Sequence, residues 1–196
     1  MHPIDHIRRF ASLTPEIEQR LNEMMRRVDY NRGAVLQGIQ TLTNNAFYVE
    51  KGATRLYYTR AGREHTISFA FSDQFVVVPR GISENYPDTL AVQVLEPTTL
   101  VFVPHQAVRT ELQESGAVDT NEGILFLNAA LIQYNSYLEE RVGVMQTFSA
   151  SERYAWALRR FPRLTECAST TQIASFLGLT KETLYLIKNG RYTANQ

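Results

Sequence analysis

The sequence is 196 residues long, with 20 Lys+Arg balanced by 20 Asp+Glu, 44% hydrophobic residues and 20% charged ones. That length supplies one large or two small domains with a core, and the composition excludes a predominantly disordered chain. The single cysteine, Cys167, excludes both a disulfide framework and a cysteine-built zinc or iron–sulfur site within one chain. No apolar run approaches the roughly 18 residues of a membrane helix, and Met1–His6 lacks the apolar stretch of a secretory signal, so a cytoplasmic protein is expected.

In chain order, the first thirty residues read as helical. Thr14 is a good N-cap, Pro15 fits the first helical position, and Ile17, Leu21, Met24 and Val28 repeat on one face. From Tyr30 to Pro104 the pattern turns to short β-rich runs: 34–36, 46–49, 54–58, 66–69, 75–78, 90–95 and 99–103. Gly33, Gly38, Gly52, Gly62 and Gly81 punctuate them. Strands at this spacing predict a small barrel or sandwich. Residues 80–88, with Gly81 and Pro87, break the rhythm and read as a loop that holds something or moves.

After Gly116 the period becomes helical. Ile124, Leu127, Leu131, Tyr134, Leu138, Arg141 and Met145 are spaced alternately by three and four residues, the pattern of a coiled-coil dimer seam. Ser149 and Glu152 form a capping box for a helix that ends before Pro162. Ser169 and Gln172 form another, for a short helix closed by Gly178. Thr180 caps a further helix from Lys181 to about Asn189. Two capped helices joined by a glycine turn outline a helix-turn-helix. The charge is also uneven: residues 149–196 hold seven cations and three anions, a net +4, leaving −4 on residues 1–148. A basic module on an acidic body points to an anionic partner for the C-terminal piece.

The stretch Gln172-Ile173-Ala174-Ser175-Phe176-Leu177-Gly178-Leu179-Thr180-Lys181-Glu182-Thr183-Leu184 resembles the helix-turn-helix of the Crp/Fnr family of bacterial transcription regulators. Upstream, the runs 32–36 and 48–57 and Gly62-Arg63-Glu64 resemble that family's β-roll, and the seam helix resembles its dimerisation helix. The resemblance spans about residues 10–190. It implies an α+β fold: an N-terminal double-stranded, jelly-roll-like β-roll, a long dimerisation helix at about 117–147, and a C-terminal helix-turn-helix. The expected division is 1–148 for the cyclic-nucleotide-binding-like sensor domain with its dimerisation helix, and 149–196 for the DNA-binding domain. The expected function is an effector-responsive homodimer that binds palindromic DNA through the major groove, with RNA polymerase a possible partner. The alternative is a dimeric ligand-binding or protein-interaction module whose DNA reader is degenerate, a reading prompted by Leu186 where many relatives carry Arg.

By the family's register, Lys181, Glu182 and Leu186 occupy the positions that reach base edges, with Thr183, Tyr185 and Lys188 on the same DNA-facing helix; Ser169, Thr170 and Thr171, at the preceding helix start, are candidates for phosphate contacts. The dimer seam is expected to use Ile124, Leu127, Leu131, Tyr134, Leu138 and Met145. Cyclic-AMP-binding relatives carry Gly-Glu and, after a loop, Arg-Ser/Thr-Ala. Here Val77-Val78 and Thr89-Leu90 stand at those places, removing the partners of the cyclic phosphate and ribose, so an effector other than cyclic AMP is expected. A pocket formed from Arg55, Phe75, Arg80, Thr89 and Tyr134 is the candidate effector site. No cofactor or metal is expected: the four histidines His2, His6, His65 and His105 read as surface or loop residues. The chain also lacks the His-x-His of a cupin metal site, a P-loop and a Rossmann fingerprint, which argues against an enzyme.

Overall fold

The computed structural model describes residues 2–9, 11–38, 42, 44–76, 78, 90–118 and 120–192, with the side chains of 120–131 and 133 outside that description. Two N-terminal helices, α1 (Pro3–Ile7) and α2 (Pro15–Met24), precede strands β1 (Arg26–Tyr30), β2 (Val35–Gln37), β3 (Ala46–Lys51), β4 (Ala53–Arg60), β5 (Arg63–Phe71), β6 (Gln74–Val76), β7 (Leu90–Val94) and β8 (Thr98–Val103). Helices follow: α3 (His105–Glu114), α4 (Thr120–Thr147), α5 (Ala150–Arg160), α6 (Leu164–Cys167), α7 (Thr170–Leu177) and α8 (Lys181–Lys188). The strands form two four-stranded antiparallel sheets, in the orders β1-β8-β3-β6 and β2-β7-β4-β5. The fold is α+β.

Period-two alternation sorts the strand side chains into three cores. Phe47, Val49, Leu100 and Phe102 of the first sheet meet Leu56, Ala70, Val92 and Val94 of the second between the sheets. On the outer face of the first sheet, Tyr48, Val101 and Val103 are covered by Ile4, Ile17, Leu21, Val108 and Leu112 from α1, α2 and α3. On the outer face of the second, Ala53, Phe69 and Phe71 join Trp156, Phe161, Ile173, Phe176, Leu177 and Leu184. The C-terminal helices therefore share one core with the sheet beneath them. Phe176 sits at its centre, stacked on Trp156 and edge-on to Phe69 and Phe161.

Two local features depart from the sequence expectation. Val28 does not extend the α2 stripe: Met25 is extended, and residues 26–30 pair with 98–102 as β1. Backbone pairing along β8 outweighs the helical period there. Helices α3 and α6 also lie outside the elements expected from the sequence. Residues 80–88, expected as a loop, lie outside the described residues except as sequence.

Helix α4 presents different faces along its length. Tyr137, Val144 and Met145 pack into the core shared with the C-terminal helices, and Glu140 accepts a 2.7 Å hydrogen bond from Trp156 Nε1. Arg141 donates to the carbonyls of Ile67 and Phe176 and lies 4.5 Å from the Phe176 ring centroid. Burial lowers its pKa from the usual arginine range. Met145, expected in the dimer seam, thus turns toward its own chain. Ile132 and Val142 are exposed, Tyr134 is marginally exposed and Leu138 is half-buried. The side chains of Ile124, Leu127 and Leu131 lie outside the described residues.

Candidate nucleic-acid interface

The last two helices are built by their caps. Ser169 Oγ accepts from Gln172 N at 3.3 Å while Gln172 Oε1 accepts from Ser169 N at 2.8 Å, so α7 opens on a complete capping box. Gly178 closes it in the left-handed conformation at φ 66° and ψ 31°, where a side chain would be strained. Two residues later Thr180 Oγ1 accepts from Thr183 N at 3.0 Å and opens α8. Ile173, Ala174, Phe176 and Leu177 bury α7, whereas α8 buries Leu184 alone. Thr183 and Ile187 are half-buried, and the other side chains of α8 are exposed.

Outward, α8 carries two adjacent stripes set by helical spacing. Lys181, Tyr185 and Lys188 form one; Glu182, Leu186 and Asn189 form the other. All six are exposed. Thr183 departs from the expected set: it is half-buried and its hydroxyl lies 2.9 Å from Thr180 Oγ1, so it serves the cap. Ser169 likewise spends its hydroxyl on α7, while Thr171 beside it is exposed and Thr170 half-buried. Among the described residues no carboxylate pairs with Lys181, Lys188 or Arg191. Arg163, by contrast, holds Glu96 at 2.8 and 3.0 Å and so ties its charge to the sheets.

Beneath α7 lies a polar junction that sequence reading did not single out. Arg55 is 2% exposed on the outer face of β4, its guanidinium 4.2 Å from the Tyr57 ring centroid. It donates to Gln93 Oε1 at 2.7 Å, to Thr66 Oγ1 at 3.2 Å and to the Glu64 carboxylate. Gln93 Oε1 also accepts from Gln172 Nε2 at 3.1 Å. Ser175 Oγ accepts from Thr66 N and donates to Glu64 O, both at 2.9 Å, capping two backbone groups on the free edge of β5. Arg55 is thereby linked to α7 through Gln93 and Gln172. The available signals were a charge inside an apolar strand run and the tight β4–β5 hairpin, which brings Glu64 opposite Thr59.

The expected effector pocket is not assembled as a group. Arg55 alternates with inward-facing Leu56 and so points to the outer face of the second sheet. Phe75 pairs with Tyr48 on the outer face of the first sheet, where their ring centroids are 5.0 Å apart. Opposite outer faces cannot line one cavity. Arg80 and Thr89 lie outside the described residues, and Tyr134 is on α4. His6 is also not a simple surface residue: it packs edge-on against Tyr48 and Phe75, its Nε2 is buried without a hydrogen-bond partner, and burial lowers its pKa. Among the described residues no cluster of His, Cys, Asp and Glu is arranged to hold a metal ion, and no helix is long and apolar enough to cross a membrane.

No protein-family model matches the chain, and no curated protein matches its sequence. Solved structures do match its fold. FixK2 from Bradyrhizobium japonicum superposes with a TM-score of 0.65 at 20% identity, over 85% of this chain and 83% of that one. A protein from Eubacterium rectale, described as a transcriptional regulator of the Crp/Fnr family, gives 0.67 at 16% identity, over 96% and 86%. The c-di-GMP-responsive global regulator CLP of Xanthomonas campestris gives 0.60 at 13% identity, over 93% and 96%. The strong structural neighbours are thus transcription regulators with the Crp/Fnr fold, and this chain shares that fold along most of its length.

Proposed function

We propose that the chain is a DNA-binding transcription regulator of Crp/Fnr type, with α7, the turn at Gly178 and α8 acting as its helix-turn-helix. The observation that carries this reading is the division of labour between the two helices. α7 is buried on the sheet and holds the pair in place. α8 buries Leu184 and exposes Lys181, Glu182, Tyr185 and Lys188 on one outward surface, with no carboxylate pairing either lysine among the described residues. An exposed helix of this kind fits the major groove of B-DNA, where cations meet phosphates and polar side chains meet base edges. Thr170 and Thr171, at the start of α7, are the candidates for positioning contacts to the backbone.

The regulator acts as a homodimer through α4, which places two copies of α8 about 34 Å apart, one turn of DNA. Tyr134, a seam position left exposed on α4, supports contact with a second copy. The β-sheet body takes a small-molecule effector whose identity the departures at Val77-Val78 and Thr89-Leu90 steer away from cyclic AMP. Its response reaches α8 through the junction of Arg55, Gln93, Gln172 and Ser175, because α7 rests on that network. RNA polymerase is the expected downstream partner, and catalysis is no part of the role.

A gel-shift with duplex fragments that include the region upstream of the protein's own gene tests the reading. A discrete complex that survives a large excess of unrelated duplex is expected. Equal retention of all fragments, or of none, would overturn sequence-specific regulation.

A further inference from the structure

We infer that Tyr185 and Leu186 read thymine through its C5-methyl group, so that this apolar pair sets part of the target sequence. The inference rests on the DNA-reading role proposed above and deepens it. Large apolar side chains exposed singly are ordinary on a protein surface. These two are neighbours on the exposed face of α8, with Tyr185 59% and Leu186 40% exposed. They are flanked by Lys181 one turn earlier and by Lys188 and Arg191 after them, cations without a carboxylate partner among the described residues. A cationic border around an apolar centre matches a polyanion with apolar groups in its groove better than it matches a second protein surface.

The chemistry of the stripe narrows the base. Glu182 is an acceptor only, and Leu186 neither donates nor accepts. Guanine presents two acceptors, N7 and O6, to the major groove; the Glu182 carboxylate is repelled by them, and the one donor group of this stripe, the Asn189 amide nitrogen, already donates to the Tyr185 carbonyl at 2.8 Å. Cytosine and adenine offer amino donors that Glu182 can accept from. Thymine offers the methyl group, the one apolar feature on the floor of the major groove. Leu186 lies one turn beyond Glu182 on the same stripe and Tyr185 beside it, so the pair meets bases adjacent to the one Glu182 reads. Leu184 and Ile187 point inward or are half-buried, which leaves the pair as the apolar contact surface of α8.

The experiment replaces thymidine by deoxyuridine, one position at a time, in a duplex selected by the full chain from a randomised library. That exchange removes the methyl and keeps every Watson–Crick and groove hydrogen-bonding group. Removing one buried methyl from a contact weakens binding about fourfold, so at one or two positions in each half-site deoxyuridine is expected to raise Kd by about that factor. Leu186→Ala is expected to abolish the discrimination at one such position while circular dichroism and thermal melting stay those of the parent. The wild-type measurement stands without the variant. Specific binding with no deoxyuridine effect anywhere would overturn the inference alone, leaving DNA reading intact. So would an unchanged deoxyuridine effect in Leu186→Ala and Tyr185→Ala, which would assign the pair to another surface. Failure to bind or select any duplex would overturn the DNA-reading role, and this inference with it.

Discussion

Replacing Arg55 by alanine removes the group on which the junction between sheet and C-terminal helices converges. The guanidinium is 2% exposed and donates to Gln93, Thr66 and Glu64. Hydrogen bonds from a charged group contribute roughly 1.5–3 kcal/mol each. Three losses do not add in full here. The Glu64 side chain is half exposed, so its carboxylate returns to water and that arm contributes little. Gln93 Oε1 keeps the donor from Gln172. The desolvation cost of burying the guanidinium is also recovered. Against this, truncation leaves a cavity beneath Tyr57 and an unpaired Thr66 hydroxyl. A net loss of about 2–4 kcal/mol follows, equivalent to a Tm lower by roughly 5–15 °C in a chain of this size. Urea denaturation of parent and variant measures the loss, and amide hydrogen exchange measures its location: Ile173–Phe176 in α7 should exchange faster, because their helix rests on Gln93 and Thr66. Arg55→Ala within about 0.5 kcal/mol of the parent, with unchanged exchange in α7, would refute the role of the junction.

Four further outcomes are expected. Gly52→Ala should be severely destabilising, by about 3 kcal/mol or more, because Gly52 has φ 104° and a Cβ would stand 2.2 Å from Thr98 Oγ1 and 2.8 Å from backbone atoms of Pro97 and Thr98; thermal melting reads it. Ala61→Asn should instead raise stability by about 0.5 kcal/mol, since Ala61 holds φ 50° in the β4–β5 turn without the side chain that tolerates it. For His6, burial lowers the folded pKa, so the unfolded chain binds the proton more readily. Its contribution is therefore complete above the ordinary value of 6.5 and is lost as pH falls from there through the folded pKa. His6→Leu should flatten that limb of a stability–pH curve even with Asp5, Asp73 and Arg9 nearby. Leu131→Glu on α4 should convert a dimer to monomer in sedimentation, because facing carboxylates in an apolar seam cost several kcal/mol.

Most of the architecture was legible in the sequence because local signals and tertiary packing agree. Each of the seven β-rich runs overlaps a strand, and the four capping residues Thr14, Ser149, Ser169 and Thr180 all cap helices. Helical spacing misled where a non-local partner decided the outcome. Val28 continues the α2 period perfectly well, yet pairing with Leu100 makes it a strand residue. On α8, spacing separated exposed Lys181, Glu182, Tyr185 and Lys188 from buried Leu184, but it did not show that Thr183 is engaged by the Thr180 cap. Within the expected effector set, Arg55 and Phe75 are kept apart for a different reason. The set joined residues by family position, while strand alternation sends Arg55 and Phe75 to opposite outer faces of the two sheets. The Arg55 junction was illegible for the complementary reason: Gln172 and Ser175 lie 79 or more residues from their partners, beyond any local pattern.

The central claim, that α8 reads DNA, is tested most directly by titrating parent, Lys181→Ala and Lys188→Ala chains into selected and scrambled duplexes across a salt series by fluorescence anisotropy. The parent should prefer the selected duplex, with log K falling linearly against log salt. Lys181→Ala, at the start of the helix, should lose about 1–3 kcal/mol on the selected duplex and relax preference at one base pair. Lys188→Ala, two turns later, should weaken both duplexes alike and reduce the salt slope by about one per subunit. Affinity for either duplex that neither depends on salt nor changes in either variant would contradict the claim.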